Sequence, residues 1–329
     1  MSRIAIMGLE EWQKEYFSKR ILDQEATFHE DNIVINDDTK NSEIIACFIF
    51  GIFDKKTLQK FPNLKLITTM SAGYDHIDLD YCKEKGIVVC NVPKYGDHTV
   101  AELAFGLILN LSRKLYEARE RSKKGNLDFK GLLGFDLKGK TIGVIGTGNI
   151  GQISMEIAKG FDMKVIAYDA YPREELQEKI GFEYVSLEEL LKRSDVVTIH
   201  VPFNKHTLHL IGKEEFEKMK PGGLLINTSR GEIIETQALV DALKSKKLGG
   251  AGLDVLEGER MLKTKTKNFN KAEKQQKKWF DELRKMDNVF ITPHQAFYSK
   301  EALIRIMDTT LVNIYDYIEN RGFNNQITN

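Results

Sequence analysis

The chain alternates short apolar runs with segments of mixed polarity. In the first ninety residues the runs Arg3–Met7, 44–50, 64–70 and 87–92 read as strands, and mixed stretches such as 10–22 and 80–85 as the helices between them. Strand–helix alternation of this kind implies a parallel sheet covered by helices. Residues 100–112 then form a mostly apolar helix, with Leu103, Leu107, Leu109 and Leu111 spread around its circumference. A helix apolar all round is buried, either in a core or at a subunit contact. Residues 113–130 are charged and expected at the surface. From residue 137 a second series begins, with strands at Thr141–Ile145, Lys164–Tyr168, 196–201, 224–227, 251–255 and 289–292 and helices at 149–159, Leu187–Arg193, 214–219 and 236–246. That count suits a doubly wound sheet of six or seven strands. The tail, 301–319, places Leu303, Ile306, Met307, Leu311, Ile314 and Ile318 at helical spacing. It predicts one or two helices, and since the second sheet is complete without them, they are expected to return to the first domain.

Composition narrows the class. A chain of 329 residues suggests two domains, at ~100–200 residues each. Apolar residues make up 42% and charged residues 29%, which suits a globular protein. Lys+Arg and Asp+Glu are 48 each, so the global electrostatic pull of a nucleic-acid binder is missing and no such partner is expected. No apolar run approaches the ~18 residues that span a bilayer, and no membrane association is expected. The start, Met1-Ser2-Arg3-Ile4-Ala5-Ile6-Met7-Gly8, reads as a core strand rather than a signal peptide. Cys47, Cys82 and Cys90 show no metal or redox spacing, which fits a reducing compartment and a cytoplasmic location. Residues 260–286 hold 10 Lys or Arg against 3 Asp or Glu, with Trp279, Phe280, Leu283 and Met286 in one apolar stripe. They read as a surface excursion with one amphipathic helix; an anionic partner is the alternative. His206 and His209 lack acid-rich ligand spacing, so no metal site is expected.

The strongest chemical signal is Gly146-Thr147-Gly148-Asn149-Ile150-Gly151. Alone, such a pattern is weak. Here it follows a strand, opens a helix, and is followed 18 positions after Gly151 by Asp169 at the end of the next strand. That is the context of a dinucleotide fingerprint. Gly146 permits the tight turn, Gly148 lets the backbone approach a pyrophosphate, and Gly151 lets helix and strand pack closely. Free N–H groups at the helix start, around Asn149 and Ile150, face the phosphate charge. A carboxylate at Asp169 accepts from a ribose 2′-OH and repels a 2′-phosphate, which favours NAD over NADP.

Acid–base candidates sit at later strand ends, where open α/β sheets place ligands. Arg230 follows in Asn227-Thr228-Ser229-Arg230-Gly231, Glu259 comes 29 residues later, and His294 lies in Pro293-His294-Gln295-Ala296. Each is common by itself. Together they could grip a 2-keto acid: a guanidinium binds the carboxylate bidentately, an imidazolium supplies the proton the ketone oxygen needs, and a carboxylate fixes the ring. Glu257 is a rival for that last role. His200, at another strand end, reads as structural.

In these motifs, their order and their spacing the sequence resembles the NAD-dependent, D-isomer-specific 2-hydroxyacid dehydrogenases over essentially its whole length. The segments 146–151 with Asp169, 227–231, 252–259 and 292–294 carry the resemblance, as do Asn91-Val92-Pro93 and Ala101-Glu102, and 294–298 with the helical tail looks most like the D-lactate dehydrogenase branch. The family often has Pro after the catalytic Glu, where this chain has Arg260 and the basic insertion. The resemblance implies a Rossmann cofactor domain, residues 99–296, inserted into a flavodoxin-like substrate domain, residues 1–98 and 297–329, with a cleft between them. It implies that Arg230 binds carboxylate and polarises the carbonyl, that His294 donates the proton, and that Glu259 holds His294. Thr228 and Asp254 would line the nicotinamide side, and Val201, Pro202 and Thr207 would pass along the cofactor. Ala72 and Gly73 would bind the substrate carboxylate, with Tyr95 at its border. A homodimer is expected. Pyruvate and D-lactate come first as substrates, then glyoxylate or hydroxypyruvate, then a branched-chain keto acid. A non-catalytic NAD-sensing protein, like the family's corepressor branch, is the alternative from another class.

Overall fold

A computed structural model describes residues 1–259 and 270–327. The chain divides into two compact units, Met1–Tyr95 with Tyr298–Asn329, and Gly96–Phe297. The crossings fall three residues earlier at the first passage, and one later at the second, than the sequence suggests.

The discontinuous unit is built on a five-stranded, all-parallel sheet in the order β2-β1-β3-β4-β5. Its strands are β1 (Arg3–Met7), β2 (Glu25–His29), β3 (Ile44–Cys47), β4 (Leu66–Thr69) and β5 (Val88–Cys90). Central strands β3 and β4 are buried at every position, as a sheet covered on both faces requires. Strand β2 has no counterpart in the sequence reading. It is an edge strand of Glu25-Ala26-Thr27-Phe28-His29 without one fully buried residue, so no apolar run marks it. The tail is a single helix, Lys300–Ile318, capped by the Ser299 hydroxyl on the Ala302 N–H. It packs on β4 through a stripe that includes Leu303, Ile306, Met307 and Ile314. Beyond it the chain covers the open edge of β5: the Ile327 N–H donates to the Val89 carbonyl, and Gln326 bridges Cys90.

The continuous unit holds seven parallel strands in the order β12-β11-β10-β9-β6-β7-β8. They are β6 (Thr141–Ile145), β7 (Lys164–Tyr168), β8 (Glu183–Tyr184), β9 (Val196–Ile199), β10 (Gly223–Asn227), β11 (Leu248–Leu253) and β12 (Val289–Ile291). The order reverses at β6/β9, the switch point of a doubly wound sheet. Only the two-residue β8 escapes the sequence pattern. The helix Asp97–Arg113 is not apolar all round in its setting. Ala101, Ala104, Phe105, Leu107 and Ile108 pack into the core over β10 and β11, Leu103, Leu109 and Leu111 are half-buried, and Glu102 and Gly106 are exposed.

In the basic segment, residues 260–269 lie outside the described residues, and an amphipathic helix occupies Lys271–Leu283. Leu283 is fully buried, and the Trp279 indole donates to Gln237 Oε1 at 2.8 Å. All three cysteines are free and buried, and burial pushes the Cys82 and Cys90 thiols up to about 12. Among the described residues no helix is long and apolar enough to cross a membrane, and no cluster of three His, Cys, Asp or Glu could hold a metal ion.

Candidate active site

Register places the candidate groups of the continuous unit on one line. Tyr168, Ile145, Ile199, Asn227, Leu253 and Ile291 lie side by side across six neighbouring parallel strands. Asp169, the Gly146–Gly148 turn, His200 to Pro202, Thr228 to Arg230, Asp254 and His294 all leave the sheet within three residues beyond that row. With strands ~4.8 Å apart, β10 and β12 are about 10 Å apart, so Arg230 and His294 start from neighbouring ground with Asp254 between them.

At the switch point β6 runs through the glycine turn into the helix Asn149–Gly160. Gly146 has φ +97°, and a Cβ there would lie 2.6 Å from the His200 carbonyl oxygen. A Cβ on Gly151 would lie 2.0 Å from the Gly146 oxygen, so helix and turn touch backbone to backbone. Gly148 differs: its backbone is extended, and a Cβ would meet nothing within 4 Å. Its open side is where a phosphate can approach the first-turn N–H groups.

Asp169 forms the next wall. Thr147 donates to its Oδ2 through N–H and hydroxyl at 2.7 and 2.8 Å, and the Tyr171 N–H donates to Oδ1 at 2.9 Å. Partial burial would raise the carboxyl pKa, but these three donors and the Arg173 charge outweigh it and hold it below the usual range. The Tyr184 hydroxyl donates to Thr147 Oγ1 at 2.9 Å, and Arg173 donates to the Thr147 carbonyl at 2.7 Å. Thr147 is thus the hub of the acidic corner, a role with no sequence signal beyond its place between two glycines.

His200 is structural, as the sequence suggests. It is buried, its Nε2 lies 3.0 Å from both Ser154 Oγ and Thr198 Oγ1, and burial pushes its pKa down to about 4. Val201 flanks the Gly146 turn, with its side chain 2.8 Å from where a Gly146 Cβ would be. Thr207 closes the following loop, donating to the Pro202 carbonyl at 2.7 Å and accepting from the Asn204 N–H at 2.8 Å.

Asn227, the last residue of β10, shapes the loop that presents Arg230. Its Oδ1 accepts from the Ser229 N–H at 3.0 Å, and its Nδ2 donates to the Arg230 carbonyl at 2.8 Å. The half-buried Arg230 guanidinium donates to the Ser229 carbonyl at 2.8 Å. Thr228 is 8% exposed, and its hydroxyl has no hydrogen-bond partner among the described residues. A buried hydroxyl left so beside a nucleotide loop fits a cofactor group that completes it.

His294 follows β12 with φ +56°, a left-handed backbone that a non-glycine residue adopts at a cost. Asp254 holds it there. The Asp254 carbonyl accepts the His294 N–H at 2.9 Å, and its carboxylate accepts the Thr292 hydroxyl at 2.5 Å and the N–H groups of Gln295 and Ala296 at 2.9 and 2.8 Å. Both carboxylate oxygens are thus bonded within the His294 loop, which assigns Asp254 a positioning part beyond the expected lining of the nicotinamide side. The Glu259 carboxylate pairs with His294 Nδ1; the two side chains are 19% and 11% exposed. Nε2, on the far side of the ring, is then the nitrogen suited to proton exchange. Glu257 does not compete for the histidine: it accepts from the Thr236 hydroxyl at 2.7 Å and pairs with His209 Nε2 at 3.0 Å.

In the discontinuous unit, Ala72 and Gly73 lie in the loop beyond β4, Ala72 exposed and Gly73 half-buried. Tyr95 is half-buried, and its carbonyl accepts from Arg305 Nε at 2.7 Å.

Residues 105–296 match the family model described as D-isomer specific 2-hydroxyacid dehydrogenase, NAD binding domain. The D-lactate dehydrogenase of Escherichia coli (strain K12) is 40% identical over 274 residues, 83% of this chain and 82% of the relative. The glyoxylate reductase of Thermococcus litoralis is 40% identical over 276 residues, 82% and 78% of the two. Among solved structures, D-lactate dehydrogenase from Aquifex aeolicus complexed with NAD and lactic acid is similar with a TM-score of 0.87 at 38% identity, covering 96% of each chain.

Proposed function

The chain belongs to the D-isomer-specific 2-hydroxyacid dehydrogenase family and is an NAD-dependent oxidoreductase; from that premise we propose that its reaction is the reversible reduction of pyruvate to D-lactate. The observation that carries the chemistry is the row of strand ends, which delivers a nucleotide turn, a guanidinium and a carboxylate-held imidazole to one edge of one sheet. The likeness to two D-lactate dehydrogenases supports pyruvate as substrate. Glyoxylate or hydroxypyruvate is the second reading, favoured by the equally identical glyoxylate reductase.

When bound, the reduced nicotinamide supplies a hydride. Arg230 takes the substrate carboxylate in a two-pronged hydrogen bond and polarises the ketone. His294 gives its Nε2 proton to the ketone oxygen and takes it back in the oxidative direction, while Glu259 fixes the ring by holding Nδ1. The Thr228 hydroxyl and the loop from Val201 and Pro202 to Thr207 border the cofactor. Gly146, Gly148, Asn149, Ile150 and Gly151 take its phosphates, and Asp169 its ribose hydroxyls. Ala72 and Gly73 offer backbone N–H groups to the substrate carboxylate, and Tyr95 borders the substrate.

The test is NADH oxidation with pyruvate, glyoxylate, hydroxypyruvate and a branched-chain keto acid. Pyruvate is expected to give the highest kcat/KM. A higher value for glyoxylate would move the assignment to the second reading. Tight NADH binding with no turnover of any keto acid would leave a nucleotide sensor.

We place the protein in the cytoplasm, supported by its three free, buried thiols. We also assign it a homodimer, supported by exposed apolar side chains concentrated on one stretch: Leu115, Tyr116, Leu127, Phe129 and Leu133 are each at least half-exposed.

A further inference from the structure

Between Ser71 and Tyr74 the backbone has an unusual orientation. Three successive carbonyls are bonded to other groups of the discontinuous unit. Ser71 O accepts the Val92 N–H at 2.9 Å, Ala72 O accepts Asn91 Nδ2 at 2.9 Å, and Gly73 O accepts the Ser71 hydroxyl at 2.6 Å. In a trans peptide the C=O of one residue and the N–H of the next point in opposite directions. Turning those three carbonyls inward therefore turns the N–H groups of Ala72, Gly73 and Tyr74 outward, where they have no acceptor among the described residues. Successive N–H groups on one side form a concavity for an anion.

The bonds behind this loop run in one direction. The single Ser71 hydroxyl proton goes to Gly73 O, so at 2.7 Å Thr69 must donate to Ser71 Oγ. Thr69 has then spent its own proton, and the 3.2 Å contact requires His76 Nε2–H to donate to Thr69 Oγ1. All three side chains are buried, with Thr69 fully so and His76 2% exposed. Asn91 is held from the other side: its N–H donates to Asn325 O at 3.1 Å, and its carbonyl accepts from Asn313 Nδ2 at 3.0 Å. Asn325 Nδ2 in turn donates to Asn313 Oδ1 at 2.9 Å.

We infer that Ser71 and Asn91, backed by the His76–Thr69 relay and by the Asn313–Asn325 pair, are positioning residues that set the outward N–H groups of residues 72–74 for a substrate carboxylate. The inference rests on the 2-keto acid activity proposed above. Its mark is selectivity for the anion: loosening the loop harms a substrate with a free carboxylate more than one whose carboxylate is masked.

The test compares pyruvate with methyl pyruvate in wild type, Ser71→Ala, Asn91→Ala and Ser71→Thr, with NADH affinity and melting temperature measured beside them. Each alanine variant is expected to raise the KM for pyruvate ~10-fold, the scale of one charge-assisted hydrogen bond. Their kcat should fall less than KM rises, and their preference for pyruvate over the ester should shrink by a similar factor. Ser71→Thr keeps the hydroxyl and should restore both. Asn91→Asp, which sets an acceptor against the Ala72 carbonyl, should be worse than Asn91→Ala, and it serves as a second variant if Ser71→Ala fails to fold. An unchanged preference, or equal losses on acid and ester, overturns the inference while leaving the activity intact. A wild type inactive on every keto acid removes the activity itself, and the inference with it.

Discussion

His294 sits in a backbone conformation its residue type disfavours, and every group around it works to keep it there. Asp254 fixes the loop, Thr292, Gln295 and Ala296 supply the donors, and Glu259 takes Nδ1. Such local strain is expected where a side chain must be aimed rather than merely packed. His294→Ala should lower the reduction rate by at least ~100-fold, the scale of a lost acid–base group. Glu259→Gln should fall between wild type and His294→Ala, since it keeps an acceptor for Nδ1 but gives up the charge-assisted hydrogen bond that orients the ring. Steady-state rates at neutral pH decide, and near-normal turnover in His294→Ala would remove it from the mechanism. At this scale the sequence was informative about chemical type and less so about partnership. Arg, Glu and His at strand ends announce their chemistry. That Asp254 serves the His294 loop, or that Glu257 answers to His209 and Thr236, depends on turns no spacing rule encodes.

Among the elements, the glycine turn was the most legible, because a strand, a tight turn and a helix each leave their own mark on the same dozen residues. Strand β2 was the least legible: only Ala26 and Phe28 alternate with Glu25, Thr27 and His29, so this short edge strand lacks the continuous apolar run that marks the other strands of its sheet. The orientation of residues 71–74 was hidden as well. It is imposed by Asn91 and Val92, some twenty positions downstream, and local composition cannot show it. The junction of β9 and the glycine turn has a consequence for stability. His200 titrates near 4 in the native protein, against an ordinary 6.5, because burial disfavours its charged form. The unfolded chain therefore takes up a proton below pH 6.5 that the native state refuses until about pH 4. Stability is lost as pH falls through that window, about 2 kcal/mol by pH 5 at ~1.4 kcal/mol per pH unit. His200→Gln lacks this liability. Relative to wild type its melting temperature should improve between pH 7.5 and pH 5, and parallel melting curves would refute the assignment.

For the whole molecule, the two parallel sheets were readable from the alternation of apolar runs and mixed segments, and the return of the tail to the first unit followed from a second sheet that needed no further cover. The crossings shifted by only a few residues, because what sets them is where packing changes hands rather than any local signal. The exposed apolar side chains Leu115, Tyr116, Leu127, Phe129 and Leu133, set in an otherwise charged segment, belong to this scale too. Sedimentation at micromolar concentration should give twice the mass of one chain, and Phe129→Glu with Leu133→Glu should shift it toward the monomer. A wild type sedimenting as a monomer would refute the dimer.

The unit Gly96–Phe297 is one unbroken stretch, whereas its companion is split around it. On a ribosome the first sheet emerges first yet lacks its covering helix until some two hundred residues later. Once the inserted unit has folded, the long loop between the two halves becomes a short effective tether, which lowers the entropic cost of their meeting. The nucleotide-holding half can thus mature early, while the half that would greet the substrate is finished last, when Asn313 and Asn325 finally reach Asn91.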